Sequence, residues 1–304
     1  QALARTELHD YQPRGPHGWQ AFVEMDGGYD DNVLLASNET LLTIPSAGSA
    51  MYSVMASGGG WLTGGRDRGW RLTGSLYDVQ YPEQRAFNLL IAQTGPEYLL
   101  GAGSWALRAG ASGARINLGP DELETYGALS LRGEHSLAGG TLRLSYRLER
   151  ITGGLNYSYL SGWQNQFGAR TSWQSGRAEI QLGYSLTLNR RQDLRTATQF
   201  FSVSPLRNQL ETQLSWTATP RSSFYVHGLY WRSLYRDPNV LLQSGVLQQQ
   251  KRSDNGYLTE LGLVYRVTSK ASVTAEYARR NNDSNIQRYG YTSNQVSLSL
   301  QYTF

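Results

Sequence analysis

Eight carboxylates and eight arginines recur at alternate positions of the chain, each opposite an apolar neighbour: Glu24, Asp26, Glu134, Glu149, Glu179, Glu211, Glu260 and Glu276, and Arg71, Arg108, Arg132, Arg143, Arg147, Arg170, Arg266 and Arg280. Side chains of these types along a hydrated wall can brace one another as charge-assisted pairs, steer ions, or hydrogen-bond hydroxyl-rich solutes. The equal numbers predict weak charge selectivity, with most of the sixteen acting as mutual braces and the rest as walls of a conduit. Other chemistry has less to stand on. His9, His17, His135 and His227 have no ligand-like spacing, so no metal is expected. His227, flanked by Tyr225 and Trp231, reads as packing or as part of an aromatic girdle. No loop serine or Asp/His pair is singled out as an activated nucleophile. Gly101, Gly103 and their neighbours faintly echo a dinucleotide fingerprint, but a strand pattern follows instead of a helix. The chain is therefore expected to use no cofactor and not to be an enzyme.

The elements that must position these charges are strands. In the last thirteen residues, Val296, Leu298, Leu300, Tyr302 and Phe304 share one side, and Gln295, Ser297, Ser299, Gln301 and Thr303 the other. Such alternation marks a strand with one face in an apolar phase and one in water. The same pattern runs through 141–150, 178–189 and 257–267. Only 39% of the 304 residues are hydrophobic, yet the chain holds 20 Tyr, 8 Trp, 7 Phe and 33 Gly. That balance fits a transmembrane barrel, in which alternate residues meet lipid and aromatics mark the interfaces. No apolar run reaches the ~18 residues of a membrane helix. The absence of cysteine excludes disulfides and thiolate metal sites. The net charge of +4 rests on arginine and forms no block suited to nucleic acid.

About fourteen strands can be traced. Sixteen is the alternative, if 85–100, interrupted by Pro96, or 152–160 hides a further hairpin. Short turns and long polar loops alternate strictly, and counting back from Phe304 puts every short turn on one rim. The fold class is thus all-β: a transmembrane antiparallel outer-membrane barrel over 19–304, in contact with outer-membrane lipids, with both termini periplasmic. A charge facing the bilayer midplane costs roughly 2–4 kcal/mol, which sends the sixteen charged residues to the lumen. The Gln-rich loop 236–254, with Arg236, Asp237, Lys251, Arg252 and Asp254, is the expected gate. Residues 1–18 read as a periplasmic linker. Their first ten have the look of a helix end, broken by Pro13 and Pro16; this is either the tail of an upstream helical domain or a terminus helical by chance. No signal-peptide pattern is present, so the export signal is expected upstream or removed.

The run Gly28, Tyr29, Asp30, Asp31, Asn32, Val33, Leu34 closes the first strand. It resembles the signature at the start of barrels fused to periplasmic tetratricopeptide repeats. Two groups share it: Pel-type exopolysaccharide export porins and Slam-type translocators of surface lipoproteins. The first resemblance implies a secreted polysaccharide as cargo, a periplasmic repeat scaffold, and a periplasmic lipoprotein as a further partner. It also implies that terminal Phe304 is read by the barrel-assembly machinery. Fourteen strands fit the Slam type better and sixteen the Pel type, while a mixed-charge lumen and polar loops read more easily as a sugar path. A general small-solute porin is the third reading.

Overall fold

The computed structural model of the chain describes residues 18–35, 47–65, 67–243 and 246–304. The expected linker over 1–18 lies, Gly18 apart, outside the described residues. Eighteen strands follow in order: β1 (Trp19–Asp30), β2 (Ser49–Gly64), β3 (Arg68–Gln80), β4 (Leu89–Ala102), β5 (Trp105–Leu118), β6 (Asp121–Leu137), β7 (Gly140–Gly153), β8 (Gly162–Ser175), β9 (Ala178–Arg191), β10 (Leu194–Arg195), β11 (Phe200–Phe201), β12 (Pro205–Thr217), β13 (Ser222–Tyr235), β14 (Asn239–Gln243), β15 (Val246–Gln250), β16 (Ser253–Arg266), β17 (Ala271–Ser284) and β18 (Tyr291–Thr303). Fourteen of them close an antiparallel barrel in the order β1-β18-β17-β16-β13-β12-β9-β8-β7-β6-β5-β4-β3-β2, and the short β10, β11, β14 and β15 form a separate sheet in the loops. Closure leaves no open edge, which is what lets strands cross a bilayer.

The last strand closes the wall as its alternation predicts. Val23 faces Tyr302 and Tyr29 faces Val296 across the β1–β18 seam, and the Phe304 amide donates to the Ala21 carbonyl at 2.9 Å. Val296 and Leu298 are each 59% exposed on the outer face, while Ser297 and Ser299 are buried inside.

The two segments that left sixteen strands open add none. Residues 85–102 form a 3₁₀ turn, Arg85–Phe87, followed by a single strand. Pro96 sits within β4, where the ladder to β5 skips Gly95 and Pro96 without changing register. A missing N–H thus costs one stretch of pairing and no bulge. Leu155–Leu160 is 3₁₀ turn, not hairpin. The strict alternation of loop lengths fails at one place. On the rim that carries the long connections, β5 passes to β6 through Gly119 and Pro120 alone, with Gly119 at φ +57°. That rim is therefore low beside β5–β6 and high over 192–204 and 236–252.

Two aromatic rings on the inner wall rest on glycines directly across the ladder: Trp231 on Gly256 and Tyr225 on Gly262. A Cβ at Gly262 would come within 2.1 Å of the Tyr225 ring. Gly262→Val is expected to cost about 1–3 kcal/mol through overpacking, read as a lower urea midpoint of the folded barrel by tryptophan fluorescence. An unchanged midpoint would show that the ring is free to move aside.

The outer face carries two aromatic belts. Trp19, Trp70, Trp173 and Trp216 lie exposed near the short-turn rim. Near the other rim, four tyrosines each donate to an asparagine on the next barrel strand: Tyr146 to Asn165 at 2.8 Å, Tyr184 to Asn208 at 2.6 Å, Tyr230 to Asn255 at 3.2 Å and Tyr277 to Asn294 at 2.8 Å. Amphipathic rings of this kind sit where hydrocarbon meets headgroup.

Candidate functional site

The inward faces enclose a cavity of about 720 Å³, whose charged lining comprises ten arginines (71, 108, 132, 143, 147, 170, 191, 207, 252, 280) and six carboxylates (Glu97, Glu124, Glu149, Glu211, Asp254, Glu260). The balanced count expected from sequence is thus corrected toward arginine at the cavity surface. All sixteen sequence-selected residues lie on inward-facing strand positions, but Glu24, Asp26, Glu134, Glu179, Arg266 and Glu276 are not among those that line the cavity. Asp26 is turned into the wall, where it accepts from Ser53 Oγ at 2.6 Å, and Glu276 accepts from the Tyr225 hydroxyl. Arg266 is exposed at the end of β16.

A charged band crosses five strands. Arg170 on β8, Gly183 on β9 and Glu211 on β12 stand in one row. Gly183 presents no side chain, so Arg170 Nη2 reaches over β9 to Glu211 at 2.6 Å. Glu211 Oε1 lies 3.3 Å from His227 Nε2, and His227 Nδ1 lies 2.6 Å from Glu260 Oε2. The imidazole is 6% exposed and Glu260 7%. The 3.3 Å contact is close enough for an ion pair but not aligned as a hydrogen bond. His227 is therefore neither girdle nor apolar packing, and that expectation is corrected. Aromatics on both faces of 223–235 hid the parity of β13. One carboxylate sits on each ring nitrogen, so the three groups do not converge on a point. Among the described residues no group of three or more His, Asp or Glu side chains is arranged to hold a metal ion.

Other pairs follow the ladder. Arg143 and Glu134 face each other across β7–β6 at 2.9 Å, Arg147 and Glu149 meet along β7 at 2.5 Å, and Arg191 holds Glu124 at 3.1 Å. Arg108 stands directly opposite Arg132, so like charges adjoin on β5 and β6. The wall is not wholly polar. Ile91, Ala114, Ile116, Tyr126, Ala128 and Ile151 form an inward apolar cluster on β4–β7. The alternation of Leu89 and Ile91 thus marks a lumen face rather than a lipid face.

The expected gate divides. Arg252 and Asp254 line the cavity, Asp254 already within β16, whereas Arg236, Asp237 and Lys251 lie in the flanking connections. The segment is not a plain polar loop: its middle is the β14–β15 hairpin, paired through β11 to β10. Buried Asn239 accepts from the Ser202 amide at 2.7 Å, Gln250 donates to the Asn285 carbonyl at 3.0 Å, and Arg191 donates to the Leu160 carbonyl at 2.6 Å. The connections over β7–β18 are laced into one cap by these contacts. Across the mouth, burial and then the nearby Asp30 carboxylate push the Tyr81 phenol above its ordinary range, while Arg280 pulls the other way. The 81–88 loop is tied back to β2 by the Ser49 hydroxyl, which donates to Glu83 and holds that carboxyl below its usual range.

Glu97, Glu124, Arg191 and Arg207 were not selected from sequence. Extending the β9 parity from Gln181 through Thr187 and Asn189 reaches Arg191, and extending that of Gln209 and Glu211 backwards reaches Arg207. Glu97 follows Pro96, whereas Glu124 is in unbroken phase with Arg132 and Glu134, the register shift lying before it at Glu122, so the same parity extended backwards reaches it.

No family model matches the chain, and no curated protein matches it in sequence. Solved structures match in fold. OmpT of Vibrio cholerae, an outer membrane protein folded in vitro, is 8% identical with a TM-score of 0.53 over 97% of this chain and 100% of that one. Its loop-deletion mutant is 9% identical with a TM-score of 0.52 over 95% and 100%. An outer membrane channel of Pseudomonas putida F1 is 10% identical with a TM-score of 0.51 over 97% and 98%. These matches correct one expectation. Barrels of this shape include OmpT alongside a channel, so the architecture gives no ground for excluding an enzyme, and that exclusion is withdrawn. The chain is an all-β, fourteen-stranded closed barrel with the fold of solved outer-membrane barrels.

Proposed function

We propose that the barrel is a passive channel for hydrated solutes that carry negative charge. The observation that supports this most is the cavity lining, with ten arginines against six carboxylates. A low-dielectric wall focuses such an excess on whatever passes. Planar-bilayer recording in a salt gradient tests it: the reversal potential is expected on the anion side, and Arg108→Gln with Arg132→Gln is expected to move it toward the cation side. A cation-selective or non-conducting barrel would overturn the reading.

Within this reading the cargo is a secreted exopolysaccharide of the biofilm-matrix kind. Support comes from the Gly28–Leu34 signature and from guanidinium, amide and hydroxyl groups able to bond sugar hydroxyls, among them Gln164, Gln166, Gln209 and Ser185 along the cavity. An added acidic polysaccharide should block the current while a neutral one of equal length does so less. Fourteen strands favour the Slam-type translocator instead, for which a surface lipoprotein, and not a polymer, would be the blocking species.

A further inference from the structure

On the outer face, Arg150 of β7, Trp163 of β8 and Arg190 of β9 stand in a single cross-strand row. The Arg150 guanidinium lies 5.1 Å over the Trp163 ring, and all three side chains are exposed. The two arginines are separated by two ladder steps, about 9.5 Å at the Cα atoms. Neither forms an ion pair among the described residues. Beside Arg150 the row continues through Gly127 to Gly113, and a Cβ at Gly127 would meet nothing within 4 Å. Toward the barrel waist lie Phe167, Leu129 and Leu131, at 45%, 61% and 58% exposure.

The row lies on the loop side of the tyrosine–asparagine belt, beyond Tyr146, Asn165 and Tyr184 on the same three strands. Two more outward arginines repeat the placement: Arg232 opposite both Asn208 and Asn255, and Arg279 opposite Asn294. Only Asp283, opposite Asn255, adds a carboxylate at that level of β12–β17. An outward arginine such as Arg150 or Arg190, which no carboxylate faces in the β6–β9 ladders, sits at headgroup depth without the counter-charge that Glu122 gives the outward Arg115 at 3.0 Å. Its complement is a lipid with phosphate above and acyl chains below.

We propose that Arg150, Trp163 and Arg190 bind the phosphorylated sugar headgroup of an outer-leaflet glycolipid, with the acyl chains lying over Phe167 and Leu129. The two guanidinium groups take phosphate oxygens in the bidentate geometry that arginine favours, and the bare Gly127 strip leaves room for the sugar. The proposal needs the long loops outside the cell, as is general for bacterial barrels. It does not depend on what passes through the lumen.

The test uses the full chain folded in detergent, with bisphosphorylated lipid A as probe and native mass spectrometry as readout. Lipid A is expected to remain bound. Arg150→Gln with Arg190→Gln is expected to weaken it about thirtyfold, at about 1 kcal/mol for each arginine at the headgroup surface. Arg221→Ala, in the opposite rim, should leave binding unchanged. If the double variant fails the heat-modifiability test for folding, Arg190→Gln alone serves, with about a fivefold loss expected. Wild-type affinity in the folded variant would overturn the site. Equal competition by inorganic phosphate would reduce it to general anion binding, and equal competition by phosphatidylglycerol to unspecific lipid contact; either result would overturn the proposal.

Discussion

Replacing His227 by leucine is expected to lower the stability of the folded barrel by about 3–5 kcal/mol, the cost of removing one member of a buried imidazole–carboxylate pair. Glu260 is 7% exposed and meets the imidazole at 2.6 Å. Glu211 is less exposed to this loss because Arg170 holds its other oxygen at 2.6 Å. The asymmetry makes the mechanism testable. In the His227→Leu, Glu260→Leu double variant the buried carboxylate is removed together with its imidazole and Glu211 keeps Arg170, so most of the lost stability should return. Urea titration of the detergent-folded barrel, followed by tryptophan fluorescence, reads both. A single variant costing less than about 1 kcal/mol, or a double variant no better than the single, would show that the band crossing β8 to β16 is solvated and not a closed electrostatic unit.

Most of the wall was legible because period two is a strict constraint wherever one side meets lipid. Val296, Leu298 and Leu300 could only face outward, and the inward placement of Glu211, Glu260 and Arg170 follows from the same parity. The rule weakens where the inner face is itself apolar. Ile91, Ile116 and Ile151 pack inside on β4, β5 and β7, so hydrophobicity alone points them the wrong way. It fails outright for β13, whose Tyr225 and Trp231 face inward while Phe224 and Tyr230 face lipid. Only the pairing of Tyr225 with Gly262 and of Trp231 with Gly256, a relation between strands, fixes that parity. Strand identity survived Pro96 because the β4–β5 ladder skips Gly95 and Pro96 and resumes in the same register, whereas the sequence rule treats proline as an ending.

The cavity's charge was less legible than its walls. Counting inward charges gave equality, since sequence does not tell a carboxylate that points into the cavity from one folded back on the wall. Asp26 satisfies itself on Ser53, and Glu134 on Arg143. Where Arg191 and Arg207 extend the strands toward the loop rim, they tip the cavity toward arginine. The loop sheet was the least legible feature. Leu194–Arg195 and Phe200–Phe201 are two-residue strands, below the length at which any period can be read.

Arg252→Ala is expected to release the cap. Its guanidinium donates to both oxygens of Asp254, at 3.0 and 2.6 Å, and lies 3.5 Å from the Tyr289 ring centroid and 4.4 Å from that of Tyr235. One side chain thereby joins the end of β13, the start of β16 and the 285–290 connection. Asp254 is 2% exposed, so removal of its partner costs about 3–5 kcal/mol locally, beyond a cation–π contribution of up to ~2 kcal/mol. That energy is lost at the rim, because the barrel ladders do not pass through Arg252. Limited proteolysis within 236–252 should accelerate while the urea midpoint of the barrel shifts little, and single-channel records should gain open-state flicker. Arg252→Lys keeps the charge but loses the two-oxygen geometry and most of the ring stacking, so it should rescue only in part. A variant as protease-resistant as the parent, with an unchanged current trace, would remove Arg252 as the latch and leave the cap held by Asn239, Asn285 and Arg191.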